Sequence, residues 1–288
     1  MDYSNLSETE RHELNMEWLP RLTVPNVDDY VEGGAKRSAE VRERLKCHLD
    51  IAYGDTPRQV LDIYPAAAPG APVFFFIHGG YWRAFDKGQY SEVVEPMVAA
   101  GAAAVTPSYD LCPDVSIPVI VDQVRKALLW TYDNIAEHNG DPARIHVCGH
   151  SAGGHLTGMM MATDWQALRG LPKDLLCGAV PISGVFDIEP HRHTDLKEDL
   201  KLSVADVAAN SPQNLPLHFD GPVICAVGGT ESEAFRNQSK DFVDKCGKHD
   251  LECEYFELDG DNHFDVTERL ADATHPLTRA VLAQMGLS

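Results

Sequence analysis

RIHVCGHSAGGHL, Arg144 to Leu156, is the stretch on which the reading of this chain turns. An apolar, β-type run passes directly into Gly149-His150-Ser151-Ala152-Gly153, and a helix-like run follows. A G-x-S-x-G sequence between a strand and a helix forces its serine into a strained turn. A Cβ at either flanking glycine collides with the neighbouring strand or helix. The first N–H groups of the following helix have no intrahelical acceptor, so they are free to face a developing oxyanion. Ser151 is therefore the candidate nucleophile.

Outward from this turn, short apolar or β-branched runs recur at 45–53, 59–65, 73–77, 102–109, 177–183, 222–228 and 251–258. Segments of helical length lie between most of them. Ile117 to Ile135 places Ile120, Val124, Leu128 and Ile135 on one face, and Phe235 to Cys246 is a second such segment. Alternation of this kind predicts an α/β fold with a mostly parallel sheet flanked by helices, and the continuous apolar strands fit a sheet covered on both faces. Residues 66–72 (AAAPGAP) read as a turn between two strands. Residues 1–44 read as a polar, partly helical, lid-like extension. Residues 184–220, rich in Asp, His, Pro and Asn, read as an irregular cap-like insertion with one short helix near Val204 to Ala209. No linker divides the chain, so 1–288 is expected to form a single domain.

The chain has 24 basic and 44 acidic residues, 24 − 44 = −20. That balance argues against a nucleic-acid binder, which needs clustered Lys and Arg, and disfavours an anionic membrane surface. Seven widely spaced cysteines without a C-x-x-C fit neither a disulfide framework nor a zinc site. The first 15 residues, MDYSNLSETERHELN, have no basic start and no apolar core of a signal peptide, and no apolar run reaches membrane-spanning length. The expectation is a cytoplasmic protein without metal or organic cofactor, acting on a small molecule, with no nucleic-acid or membrane partner. Nothing in the sequence excludes a homo-oligomer.

A second signal is His78-Gly79-Gly80-Tyr81-Trp82, directly after the strand at 73–77. An α/β-hydrolase places half of its oxyanion hole in a His-Gly-Gly loop at this point, where glycine lets the backbone approach the substrate. His78 reads as an architectural hydrogen-bonder of that loop. In this fold the chain order is serine, acid, histidine. Of the histidines beyond the insertion, His249 ends a helix among charges. His275 starts a helix before Pro276, with Thr274 as its cap. His263 lies in the loop after the last strand, where open α/β sheets carry their sites, and is the candidate base. The acid lies after the strand at 222–228, where Glu231 and Glu233 both qualify. Thr230-x-x-Glu233 also fits a capping box, which leaves Glu231 for the base; Asp259 and Asp261 come next. His191 and His193 read as solvated, His155 as a packing or capping residue, and Asp259, Asp261 and Asp265 as surface charge.

HGGYW at 78–82, SYDLCPD at 108–114, GHSAGGHL at 149–156, ISGVFDIEP at 182–190, GGTESEAFRNQS at 228–239 and the segment around His263 together resemble the kynurenine formamidase (arylformamidase) group of α/β-hydrolases, close to the hormone-sensitive-lipase-type esterases. The resemblance runs from about residue 48 to 266. It implies Ser151 as nucleophile and His263 as base, with Glu231 where the group usually has Asp. It implies oxyanion donors at the backbone N–H groups of Gly80, Tyr81 and Ala152, with Gly79 supplying room. It makes Trp82 a wall of the acyl or aryl pocket, with Tyr81, Phe85 and Phe186 as further pocket candidates. The implied activity is hydrolysis of a small aryl amide or formamide such as N-formylkynurenine through an acyl-enzyme, and the alternatives are a carboxylesterase on short esters or an amidase for another small acylamide.

Overall fold

The computed structural model describes Tyr3 and residues 6–287. Two helices open the chain, α1 (Glu8–Trp18) and α2 (Val27–Arg44). The strands are β1 (His48–Ala52), β2 (Val60–Tyr64), β3 (Ala71–Ile77), β4 (Ala103–Pro107), β5 (Gly140–His150), β6 (Leu176–Ile182), β7 (Val223–Gly228) and β8 (Cys253–Leu258). Helix α3 (Glu95–Ala99) follows β3, and α4 (Ile117–Asn134) follows β4. Helices α5 (Ala152–Met161) and α6 (Trp165–Arg169) follow β5, while α7 (Lys197–Leu200) and α8 (Val204–Asn210) follow β6. Helix α9 (Glu233–Lys248) follows β7, and α10 (Asp265–Arg269) and α11 (Pro276–Gln284) follow β8.

The strands form one sheet in the order β1-β2-β4-β3-β5-β6-β7-β8. Strand β2 runs antiparallel to both its neighbours, and the pairs from β4 to β8 are all parallel. Each predicted apolar run becomes a strand; the central ones are buried on both faces because their side chains alternate between two cores, whereas β1 at one edge is mostly exposed and β8 at the other is half-buried. On β3, Val73, Phe75 and Ile77 enter the layer under α4, α5 and α9, while Phe74 and Phe76 enter the layer under α3 and α11. Ile120, Val124, Leu128 and Ile135 are buried together on the α4 side, as their period requires.

The chain leaves β3 toward β4 on one side, then returns to β5 on the other. Strand order therefore reverses between β3 and β5, and the crevice beyond their carboxyl ends is where such sheets hold ligands. Ile77 pairs with Gly149 across these strands, so the 78–82 loop and the 149–153 turn emerge side by side.

Three local readings are corrected. Residues 184–220 hold α7 as well as α8, along with two short 3₁₀ turns. The α11 N-cap is His275, whose Nδ1 accepts from the Leu277 N–H at 3.2 Å, while Thr274 turns its hydroxyl to Asp272 instead. The α9 N-cap is Ser232, accepting from the Phe235 N–H at 3.4 Å. Thr230 donates to the Asp261 carbonyl, so there is no Thr230–Glu233 capping box. Among the described residues no helix is long and apolar enough to cross a membrane.

Candidate active site

Ser151 stands between β5 and α5 at φ 58°, ψ −117°, a conformation that costs a non-glycine residue about 1–3 kcal/mol. The crossing around it holds the turn there. A Cβ on Gly149 would sit 2.2 Å from the Gly153 carbonyl oxygen, and one on Gly153 would sit 2.0 Å from the Ile77 carbonyl oxygen. The Ser151 N–H donates to the Ile182 carbonyl of β6 at 2.8 Å. The Ser151 amide is thus spent inside the sheet, while the next one, Ala152 N–H, has no acceptor among the described residues.

The 78–82 loop lies against this turn. A Cβ on Gly79 would come within 2.8 Å of the His150 carbonyl oxygen and 3.2 Å of Ser151 Cβ. Gly80, Tyr81 and Trp82 all have positive φ, which leaves the Gly80 and Tyr81 N–H groups without acceptors among the described residues. His78 is architectural: its ring stacks on Tyr109 at 4.2 Å, and Tyr109 donates its hydroxyl to the His78 carbonyl.

Glu231 follows β7, and each of its carboxylate oxygens is used. Oε1 accepts from the Gly228 N–H at 2.7 Å and from the Ser183 hydroxyl at 2.5 Å. Oε2 accepts from His263 Nδ1–H at 2.6 Å. That bond assigns the tautomer and leaves Nε2 as the basic nitrogen. His150 Nε2–H donates to the His263 carbonyl at 2.8 Å and steadies the loop from beneath. Glu233 reaches neither His263 nor a cap.

Ser151 and His263 both face one cavity of about 590 Å³, inside the range for small-molecule sites. Gly80, Tyr81 and Phe85 line it on one side, His150 and Phe264 on another. Ser151 Oγ holds no hydrogen bond among the described residues; catalytic contacts of this type commonly tighten only around substrate. Leu19 and Tyr30 from the N-terminal extension complete the wall. Trp18 and Glu17 hold that extension down: the Trp18 carbonyl accepts the Tyr81 hydroxyl, and the Glu17 carbonyl accepts the Ser232 hydroxyl at 2.6 Å.

Several expected positions land elsewhere. Trp82 does not line the cavity. It is fully buried beneath the loop, and its indole N–H donates to His155 Nδ1 at 3.1 Å. A buried indole must satisfy that donor, and His155, which passes its own Nε2–H to the Asn210 carbonyl, supplies the acceptor. Phe186 is also buried away from the cavity, stacked on Phe242 at 4.0 Å. His191 is not solvated: it is enclosed by Trp18, Tyr81 and Trp82, with both ring nitrogens unpartnered. His193 stacks on Tyr3. Asp261 is buried against Arg269 at 2.8 Å, and Asp265 accepts the Asn262 N–H, so neither is loose surface charge. Ser183 and His150 carried no sequence prediction. Ser183 was visible only as a hydroxyl at the carboxyl end of β6, one strand from the elbow.

Comparison with known proteins agrees with this architecture. A profile of the BD-FAE family matches residues 61–208, more than half of the chain. The chain is 28% identical to the kynurenine formamidase of Danio rerio, over 94% of this chain and 93% of that protein. It is 34% identical to esterase LipQ of Mycobacterium tuberculosis, over 48% of this chain and 35% of that one. A crystal structure of a candidate thioesterase from Silicibacter sp. TM1040 superposes with TM-score 0.81 at 31% identity, covering 93% of this chain and 98% of that one. Fold and relatives define a serine hydrolase of the α/β-hydrolase superfamily. Within it, the chain belongs to the BD-FAE family.

Two outcomes follow from this geometry. Glu231→Gln is expected to lower kcat by about 10³–10⁴-fold, the scale seen when the orienting carboxylate becomes an amide and the tautomer is lost. Glu233→Gln should leave both kcat and melting temperature near wild type, and kinetics with thermal melts on the two variants check the pair. The second outcome concerns pH. Burial lowers His78, His146 and His155 to about 4 and His191 to about 3. Folded-state values below the unfolded 6.5 mean that the unfolded chain takes up the protons. This stability is present in full above pH 6.5 and is lost as pH falls toward 4. At pH 5.5 each of these histidines costs about 1.4 kcal/mol. Burial raises Asp62 and Glu92, which acts in the opposite sense, but both are held by cations. Melting temperature should therefore be lower at pH 5.5 than at 7.5 by roughly 10 °C.

Proposed function

We propose that this chain hydrolyses a small aryl amide or formamide through an acyl-enzyme, with Ser151 as nucleophile, His263 as base and Glu231 as its orienting acid. The observation that carries the reading is His263, held by Glu231 at 2.6 Å and facing the same cavity as Ser151. Nε2 of His263 takes the Ser151 hydroxyl proton as Oγ attacks the carbonyl carbon. The Gly80, Tyr81 and Ala152 N–H groups are the candidate donors to the oxyanion. On collapse the C–N bond breaks and His263 returns the proton to the leaving amine. Water then gives a proton to His263 and its oxygen to the acyl carbon, which frees the acid and restores Ser151.

Support for an aryl formamide such as N-formylkynurenine comes from coverage. The sequence resemblance to the kynurenine formamidase of Danio rerio extends over 94% of the chain, whereas that to esterase LipQ covers 48%; the candidate thioesterase matches over 93% of the chain, so the full length alone does not separate amide from ester. At 94% coverage the formamidase resemblance takes in at least part of the 44-residue N-terminal extension, which we read as a roof over the cavity. The walls contributed by Tyr30, Phe85, Tyr90 and Phe264 suit an aromatic leaving group. Arg83 reaches the cavity as well, paired with Asp199, and a substrate carboxylate would compete for it. Seven unpaired thiols suit a reducing cytoplasm. The second reading, a carboxylesterase on short esters, is favoured by the same serine and histidine acting on an alkoxide leaving group.

Ser151→Ala should lower turnover by about 10⁵-fold or more while leaving the fold intact. Labelling by a fluorophosphonate should disappear with it. Retention of a few per cent of activity would remove Ser151 from the mechanism. The substrate is tested by kcat/KM for N-formylkynurenine against p-nitrophenyl butyrate on one preparation. The formamide is expected to be the faster, and a tenfold preference for the butyrate would establish the esterase reading instead.

A further inference from the structure

His263 sits in a turn that its own neighbours close. Asn262 Oδ1 accepts the N–H groups of Phe264 and Asp265, at 2.8 and 3.2 Å. Asp265 Oδ2 accepts the Asn262 N–H at 2.9 Å. One side chain from far outside this turn completes it. Tyr30, on α2, donates its hydroxyl to Asp265 Oδ1 at 3.0 Å and accepts from Asn262 Nδ2 at 3.0 Å. Its ring stacks on Phe264, with centroids 5.6 Å apart and planes at 29°. A single residue thus touches the positions immediately before, immediately after and two after the base.

We propose that Tyr30 is a positioning residue for His263, bridging Asn262 and Asp265 so that the N-terminal extension holds the base in line with Ser151. This rests on the reading of His263 as the base. The physical reason is lever length. His263 is anchored at Nδ1 by Glu231 and at its backbone carbonyl by His150, and the loop's inner end at Asp261 is held by Thr230 and Arg269, but the edge formed by the Asn262 and Asp265 side chains is tied to α2 through Tyr30. Releasing that edge lets the loop tilt about the inner anchors and moves Nε2, the atom farthest from Glu231. Reacting groups tolerate little of this, since an error of about 1 Å costs on the order of 100-fold. Helix α2 keeps a separate attachment to the same region, because Arg37 pairs with both Glu92 and Glu268. Loss of the Tyr30 hydroxyl therefore leaves the helix docked.

The test is Tyr30→Phe, which removes both hydrogen bonds and preserves the ring that lines the cavity. Three quantities are measured: kcat and KM on the preferred substrate, the rate of Ser151 phosphorylation by diisopropyl fluorophosphate, and melting temperature. The phosphorylation also needs the base but makes no use of an aryl pocket. We expect kcat and the phosphorylation rate to fall together by about tenfold, a partial form of the misplacement cost above, with KM within about twofold and the melt within a few degrees. Rates within twofold of wild type would overturn the proposal. A loss confined to KM would do the same, because it marks Tyr30 as a substrate wall only. Asn262→Asp breaks the bridge from the other side, because it removes the Nδ2 donor to Tyr30 and keeps the oxygen that accepts the Phe264 and Asp265 N–H groups; it carries the same expectation, and decides the matter if Tyr30→Phe does not fold. If the wild-type enzyme itself resists the fluorophosphate, the serine-hydrolase assignment of Ser151 fails, and this inference with it.

Discussion

The close crossing of α5 over the ends of β3 and β5 sets the position of everything else at the site. Two backbones approach so nearly that Gly149 meets Gly153, and Gly153 meets the last carbonyl of β3, with no room for a side chain between them. That approach tips Ser151 into a left-handed conformation and starts a helix immediately behind it. The loop after β3 then has a fixed wall to lie on, and Gly79 lets it lie there in contact. The strain at Ser151 is modest beside the burial of both faces of the sheet, so the fold maintains it without a local compensation.

The acid is organised differently. Nothing steric confines Glu231; three donors do, from the Gly228 backbone, the Ser183 hydroxyl and His263. A buried carboxylate with all three bonds made has one orientation, and the imidazole inherits it. A glutamate here, one methylene longer than an aspartate, has more freedom to lose. The extra donor from Ser183 supplies the constraint that the longer side chain requires.

How much of this was legible in the sequence depends on how local the signal is. Strand positions were legible because apolar runs report burial on both faces. The elbow was legible because glycine spacing reports a crossing; chain order pointed to His263 and narrowed its partner to Glu231 or Glu233, and Glu231 was then preferred on a capping box that the structure does not form. What failed were inferences about which way a side chain faces. Trp82 follows a loop that bears on the cavity, yet positive φ at Gly80, Tyr81 and Trp82 turns its indole inward, toward His155. His191 sits in a polar stretch but is enclosed by aromatics from two segments far away in the chain, Trp18 and the Tyr81-Trp82 pair. The Thr230-x-x-Glu233 spacing satisfied a capping pattern, while Ser232, one residue from the true helix start, took the role. Ser183 and Tyr30 were invisible because their partners lie 48 and 235 residues away.

The separation of Tyr30 from its partners bears on the order in which the molecule is assembled. Helices α1 and α2 precede the sheet in the chain, and some of their partners follow soon, Glu92 lying 55 residues after Arg37 and Tyr81 63 after Trp18, but others come much later: Ser232 lies 215 residues after Glu17, and Asp265 lies 235 after Tyr30. Contacts this distant in sequence are slow to form, since a long loop must close before any of them is rewarded. Trp18, buried in the finished protein, is not enclosed until His191 and Phe235 have also been made. The sheet from β2 to β7 can be complete before the roof closes. The roof over the cavity is then closed late, when segments 235 residues apart meet over the sheet.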